Sequence, residues 1–329
     1  MLFLTANLLS FKMAVELDSA AILAGAIIVA ILFASAALWI IHLQRDQHKF
    51  ACETGVPIWP IGWINFGIFI CALVISVVVV QLFAAEVTHL SDPIEATAID
   101  NEVELENSAD LVSSDETAAS ERPALTPWMA VLAVLLLQLP LLATFYALRR
   151  FYPKYFAGRL NSQSLTLWQS LTQTIPQFIR YLPIIWIVSF AWSKLLAELL
   201  RRGFIEDFPP QELIKLFTNG GDLTAIALLA VIAVVLAPLV EEIIFRGGIY
   251  RFFKSQSTVL PAQIISGALF ALMHGNLMSF LPLVVVGIIL ARVYESSGNI
   301  LMPICFHAYF NGFSLLMLLI MSKSSLPIN

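Results

Sequence analysis

Residues 223–253 read LTAIALLAVIAVVLAPLVEEIIFRGGIYRFF. The run exceeds the roughly 20 apolar residues that a helix needs to cross the hydrocarbon core of a bilayer. Into it the chain sets two adjacent carboxylates, Glu241 and Glu242, and an arginine, Arg246. An ionised side chain at the bilayer centre costs about 3 kcal/mol on insertion scales and more in simulation, so such groups need partners and mark function by default. Two further polar outcrops follow in later apolar segments, Phe270-Ala-Leu-Met-His274 and His307-Ala-Tyr-Phe-Asn311.

The rest of the composition agrees with a chain built for lipid. Of its 329 residues, 59% are hydrophobic and 12% charged, and mean hydropathy is +0.85. A soluble domain is about 45–50% apolar and about 25% charged. The fold class is therefore all-α, a polytopic bundle of about eight membrane-spanning helices. Spans are expected near 19–43, 60–84, 126–148, 179–200, 223–250, 259–277, 279–296 and 299–321. Within the fourth, Lys194 and Glu198 have the i,i+4 spacing of an ion pair. Arg292 and Glu295 are expected to pair at a helix end, and Asn276 and Asn299 read as turn residues near loop ends.

Four units follow along the chain. Residues 1–84 hold the N-terminal helices. Residues 85–125 form an acidic linker, expected to be disordered, since 11 of the 23 acidic residues fall between Ala85 and Pro123 against one base, Arg122. Residues 126–160 hold the third span and a basic connection. Residues 161–321 carry every candidate site. The 149–180 connection, with Arg149, Arg150, Lys154, Arg159 and Arg180 and no acid, is expected on the cytoplasmic side. Its stretch Phe151–Thr174 is expected to lie in the membrane interface. Three scattered cysteines imply neither a disulfide framework nor a zinc cluster. Nothing basic and aromatic points to nucleic acid. The first apolar run reads as a retained span rather than a cleaved signal.

Helical geometry relates the polar groups. Glu242 and Arg246 are four apart, stack on one face, and neutralise each other. Glu241 points about 100° away and has no local cation. His274 lies late in the sixth span. His307 and Asn311, again four apart, share a face of the eighth. Packing of helices five, six and eight brings Glu241, His274, His307 and Asn311 to one polar pocket, at compatible depths. A carboxylate with an imidazole orients and deprotonates a water, and a second imidazole with a carboxamide N–H stabilises an oxyanion. The same groups also suit a metal: two histidines and a carboxylate, Glu241, His274 and His307, are a catalytic zinc set with water as fourth ligand. Each cluster taken alone equally suits helix packing or an ion pathway, and Phe270 reads as packing. Three such clusters in consecutive segments favour a shared site. The zinc motif HExxH is absent, as are GxSG and GxGD, position 219 being Asn.

Glu241-Glu242-x-x-x-Arg246, Phe270-x-x-x-His274 and His307-x-x-x-Asn311 resemble, in order and spacing, the three motifs of the CAAX-prenyl-protease and bacteriocin-processing (CPBP, or Abi) family of intramembrane proteases. Gly247 also matches, and the resemblance covers roughly residues 170–320. It implies an integral membrane endopeptidase in which Glu241 and His274 activate the water and His307 and Asn311 form the oxyanion hole. Glu242 and Arg246 then shape and neutralise the site. The resemblance leaves a glutamate-type or a metal-dependent enzyme. The metal-free form, with no cofactor, is preferred because Asn is a poor zinc ligand and a good oxyanion donor. The implied partners are the lipid bilayer and a protein or peptide substrate that is membrane-bound or lipid-modified; the implied location is a bacterial plasma membrane. A catalytically inactive scaffold or self-immunity protein of the same fold, or a proton-coupled transporter, is the alternative.

Overall fold

A computed structural model describes residues 22–43, 55–91, 126–156, 158–205 and 222–325. Among them every regular element is helical. The helices are α1 (Ile22–Leu43), α2 (Trp63–Ser91), α3 (Pro127–Phe151), α4 (Leu167–Arg201), α5 (Leu223–Gln256), α6 (Val259–Met273), α7 (Phe280–Ser297) and α8 (Leu301–Ser325). A one-turn helix, Pro153–Phe156, follows α3. Seven of the eight are long and apolar enough to cross a membrane, and α6 is apolar but shorter.

Several expected boundaries shift, each for a local reason. Helix α4 starts at Leu167, not 179, because Thr166 and Gln169 form a reciprocal capping box: the Thr166 hydroxyl accepts from the Gln169 amide, and the Gln169 side chain accepts from the Thr166 amide. The last third of the expected interfacial stretch therefore belongs to a 35-residue helix. Helix α2 runs on to Ser91, into the beginning of the acidic segment. Residues 92–125 of that segment lie outside the described residues. Helix α6 stops at Met273 after 15 residues, about 22 Å. Gly275 there has φ +59°, and Asn276 caps the following turn by accepting from the Ser279 amide. His274, expected late in the sixth span, is thus the residue that ends α6.

Helix α5 is irregular twice, and both irregularities matter. Asp222 starts it by accepting from the Thr224 and Ala225 amides; the Trp128 indole N–H donates to the same carboxylate, and together these bonds hold it below the usual carboxylate range. Residues Ile232–Leu236 form a π-helical turn, and Phe245–Tyr250 form a second. Such widened turns leave backbone groups without their usual partners.

Two apolar cores flank the site. On one side α2, α3, α5 and the segment before α2 interlock through Trp59, Phe66, Phe69, Phe145, Phe245 and Phe252. Phe66 and Phe252 stack at 3.8 Å. Arg251 secures that segment by donating to the Pro57 and Ile58 carbonyls. On the other side α4, α7 and α8 interlock through Phe178, Leu182, Ile185, Leu290 and Phe306. Helices α6 and α7 meet backbone to backbone: a Cβ on Gly287 falls 2.6 Å from the Gly267 Cα, and one on Gly267 falls 2.8 Å from the Val284 carbonyl oxygen. Small residues allow this approach in membranes.

Two expected ion pairs re-form elsewhere. Glu198 pairs with Arg201 (2.7 Å) and Arg202 (2.6 Å), one turn on, instead of Lys194. Glu295 is nearly fully buried and takes the Lys254 ammonium and the Tyr250 hydroxyl from α5, instead of Arg292. Asn299 does serve the α7–α8 turn, donating to the Gln163 carbonyl and accepting from the Leu301 amide.

The glycine contact makes a direct prediction. Gly287→Ala lowers stability by about 1–3 kcal/mol through overpacking, whereas Gly62→Ala, which meets nothing within 4 Å, changes it by less than about 0.5 kcal/mol. Thermal unfolding of the two variants in the same detergent checks this; equal stability would contradict the packing.

Candidate active site

The buried charge pair forms as its spacing predicts. Arg246 Nη1 lies 2.9 Å from Glu242 Oε1, and both side chains are fully buried. The guanidinium needs more than one partner there, because five N–H donors are carried by one cation. Its Nη2 donates to the Gly287 carbonyl at 2.8 Å. Its face lies over the Phe270 ring, 4.7 Å from the centroid, a cation–π contact. Phe270 therefore does more than pack. Its ring is also 4.7 Å from that of His274 and 5.5 Å from that of His307. It forms the floor between the ion pair and both imidazoles.

The imidazoles are oriented by what holds Nδ1. In His274 that atom is 2.8 Å from the Phe270 carbonyl, which only accepts, so Nδ1 carries hydrogen and Nε2 faces the site with its lone pair in the neutral ring. In His307, Nδ1 is 2.9 Å from Glu242 Oε1, the same oxygen that receives Arg246. Glu242 thus fixes the cation and one ring at once.

Glu241 completes the arrangement. Its Oε2 lies 4.0 Å from His274 Nε2 and 3.9 Å from His307 Nε2. This oxygen is buried and has no direct hydrogen-bond partner. The carboxylate side chain is 19% exposed, and that of His274 33%, so the site opens at the end of α6. A gap of 4 Å is too long for a direct hydrogen bond. A water oxygen about 2.8 Å from both ends subtends about 90° and bonds to each.

Among the described residues the Glu241 carboxylate has one direct hydrogen-bond partner, and sequence reasoning missed it. The Gln138 amide, from α3, donates to Glu241 Oε1 at 3.3 Å. The expectation that the first three spans stay clear of the site is corrected by this contact. The available signal was a single amide, two residues before Pro140, in a largely apolar span.

Asn311 has a specific place as well. Its Nδ2 donates to the Ala233 carbonyl of α5 at 2.8 Å. That carbonyl is orphaned for two reasons. The Ala237 amide, its α-helical partner, bonds instead to Ile232 in the π register. The residue one further on, its π-helical partner, is Pro238, which has no N–H. Membrane helices tolerate such breaks where a neighbour satisfies the freed group. One N–H of Asn311 is thus committed to holding α8 against α5, and the other stays available.

The donor types at Glu241, His274 and His307 suit zinc: two Nε2 atoms with their Nδ1–H groups anchored, and a carboxylate. The spacing does not. Ligands about 2.05 Å from a tetrahedral ion lie about 3.3 Å apart, shorter than the 3.9 and 4.0 Å found here. No group of three such donors closes to metal-binding distance among the described residues.

With this geometry in place, the chain can be set beside known proteins. Residues 223–313 match the family model described as "Type II CAAX prenyl endopeptidase Rce1-like". Over 93 residues the chain is 29% identical to a Bacillus subtilis (strain 168) protein named "Putative membrane peptidase YdiL", covering 28% of this chain and 38% of that one. The chain thus spans about two fifths of this relative's length. No solved structure matches it. The segment that is similar to this family model contains Glu241, Glu242, Arg246, His274, His307 and Asn311, so all three polar clusters fall within it.

Removing one partner of the buried pair strands the other. Glu242→Leu is expected to cost about 3–5 kcal/mol, and the double variant Glu242→Leu/Arg246→Met to recover most of it. Apparent melting temperatures of the two variants decide this; a double variant no more stable than the single one would count against Glu242 as the neutralising partner.

Proposed function

We propose that the chain is an intramembrane endopeptidase of the glutamate type, hydrolysing a peptide bond of a membrane-associated protein or peptide, and that it resides in a bacterial plasma membrane. The observation that carries this reading is the unpartnered Glu241 Oε2 set about 4 Å from two imidazole Nε2 atoms. Three lone-pair groups facing one point repel unless protons lie between them. A water donates to two of them, and the third must itself carry a proton. His307 is the ring whose Nδ1–H meets a carboxylate, so the proton is assigned to its Nε2.

The steps follow from that distribution. Water donates to Glu241 Oε2 and His274 Nε2, and its oxygen attacks the scissile carbonyl carbon. Glu241 takes the proton as the C–O bond forms. The carbonyl oxygen, now an oxyanion, receives the His307 Nε2–H and the remaining N–H of Asn311. On collapse the C–N bond breaks, and Glu241 returns its proton to the leaving amine. Glu242 and Arg246 compensate each other behind His307, and the doubly protonated His307 ring is the one positive charge that faces the developing oxyanion. The Rce1-like match supports a peptide substrate in or at a membrane, and the opening at the end of α6 gives it a route.

The test is turnover of internally quenched peptides, with and without a prenylated C-terminal cysteine, by the detergent-solubilised protein. Glu241→Ala and His274→Ala each lower kcat by at least about 10³-fold, within the range that general acid–base groups supply, while the variants remain folded in the membrane. A strong chelator leaves wild-type turnover unchanged. Turnover surviving in purified Glu241→Ala removes the mechanism, and chelator-sensitive turnover restored by zinc transfers it to a metal enzyme.

A further inference from the structure

We infer that Gln138 is a positioning residue for Glu241, so that the site is completed by α3, outside the matched segment 223–313. This rests on the peptidase reading above.

Gln138 is 5% exposed in a helix whose other core-facing residues are apolar. An amide buried among hydrocarbon is unfavourable unless hydrogen-bonded. Interhelical amides in membranes commonly bond to backbone or to one another as general adhesive. This one bonds to a carboxylate that the chemistry requires, Glu241 Oε1, and its own Oε1 has no partner. Apolar contacts fix its register from both sides. Towards one end Ala130 and Val131 of α3 pack on Ala225, Leu229 and Ile232 of α5. Towards the other, Phe145 joins the cluster containing Val240 and Ile244. Gln138 sits between these two contacts, level with the acid.

The consequence for Glu241 is geometric. The last torsion of a glutamate is broad and roughly two-fold, so a carboxylate without a donor presents either oxygen in a range of directions. An N–H on Oε1 selects one orientation and leaves Oε2 facing both Nε2 atoms. Gln138 does not touch the reacting atoms; it determines which oxygen does.

The experiment compares Gln138→Met, which keeps the length and removes the N–H, with wild type, Glu241→Ala and Phe145→Leu, a packing variant on the same helix whose ring meets Phe69. The expected result for Gln138→Met is a kcat at least about tenfold lower with KM within about twofold and an unchanged melting temperature. Phe145→Leu lowers the melting temperature and keeps the kcat of the folded protein. Should the methionine variant not fold, Gln138→Asn, which withdraws the amide by one methylene, carries the same measurement. A Gln138 variant with kcat within about twofold of wild type overturns the inference.

A second readout needs no turnover. Dicyclohexylcarbodiimide, an apolar reagent for carboxyl groups within membranes, labels Glu241 at a rate read by mass spectrometry. Release from the amide is expected to raise that rate at least about threefold in Gln138→Met; an equal rate overturns the inference. Wild-type turnover that is absent, or equal in Glu241→Ala, removes the peptidase reading alone, and the labelling rate still decides the role of Gln138.

Discussion

A guanidinium buried in the middle of a membrane bundle is the constraint on which the rest of the arrangement depends. Arg246 is fully buried, and in so apolar a setting it must be neutralised and its donors met. Glu242, one turn earlier, supplies the counter-charge. The Gly287 carbonyl supplies a second acceptor, and it is within reach because α6 and α7 touch at Gly267 and Gly287. Phe270 supplies a π-face from α6. Three helices, α5, α6 and α7, are therefore committed around one side chain, whatever the site does.

The geometry proposed for catalysis is a by-product of that solution. Glu242 Oε1 has room for a second donor, and His307 fills it, which turns the other nitrogen of that ring towards Glu241. Phe270, covering the cation, also offers its carbonyl to His274 and turns Nε2 of that ring to the same point. Glu241, the residue before Glu242 in α5, escapes the pair by the 100° step of the helix and faces the two rings instead. Neutralisation and orientation are thus performed by the same atoms. On the proposed mechanism, substitutions at Glu242 or Arg246 would disturb both stability and chemistry, and those at Glu241 chemistry above all.

Much of this was legible in the sequence because helical spacing is a strong constraint. The i,i+4 relation of Glu242 and Arg246 led directly to their ion pair, and charges in apolar spans marked the segments that converge. The same rule misled where a third group competed. Glu198 has Lys194 behind it but two arginines ahead, and it turns to those. Glu295 has Arg292 nearby in sequence, yet meets Lys254 and Tyr250 across the α5–α7 interface. Two features had weaker signals. The single amide of Gln138 belongs to no motif or period, and its partner is 103 residues away. The task of Asn311 depends on a π-helical turn, which leaves no trace in hydrophobic periodicity; Pro238 is its one visible sign. The end of α6 was marked by Gly275 and Asn276, and the demand for a full-length span overrode them.

On the proposed mechanism, Glu241 Oε2 and the two Nε2 atoms surround one shared water inside the bundle. An experimental density map of the wild-type protein in lipid nanodiscs, at a resolution that shows ordered water, tests it most directly. The expected result is a peak of water-like height within hydrogen-bonding distance of all three atoms, with the Gln138 amide on the other carboxylate oxygen. A Glu241 side chain turned to hydrocarbon, or standing more than about 6 Å from both rings, would contradict it.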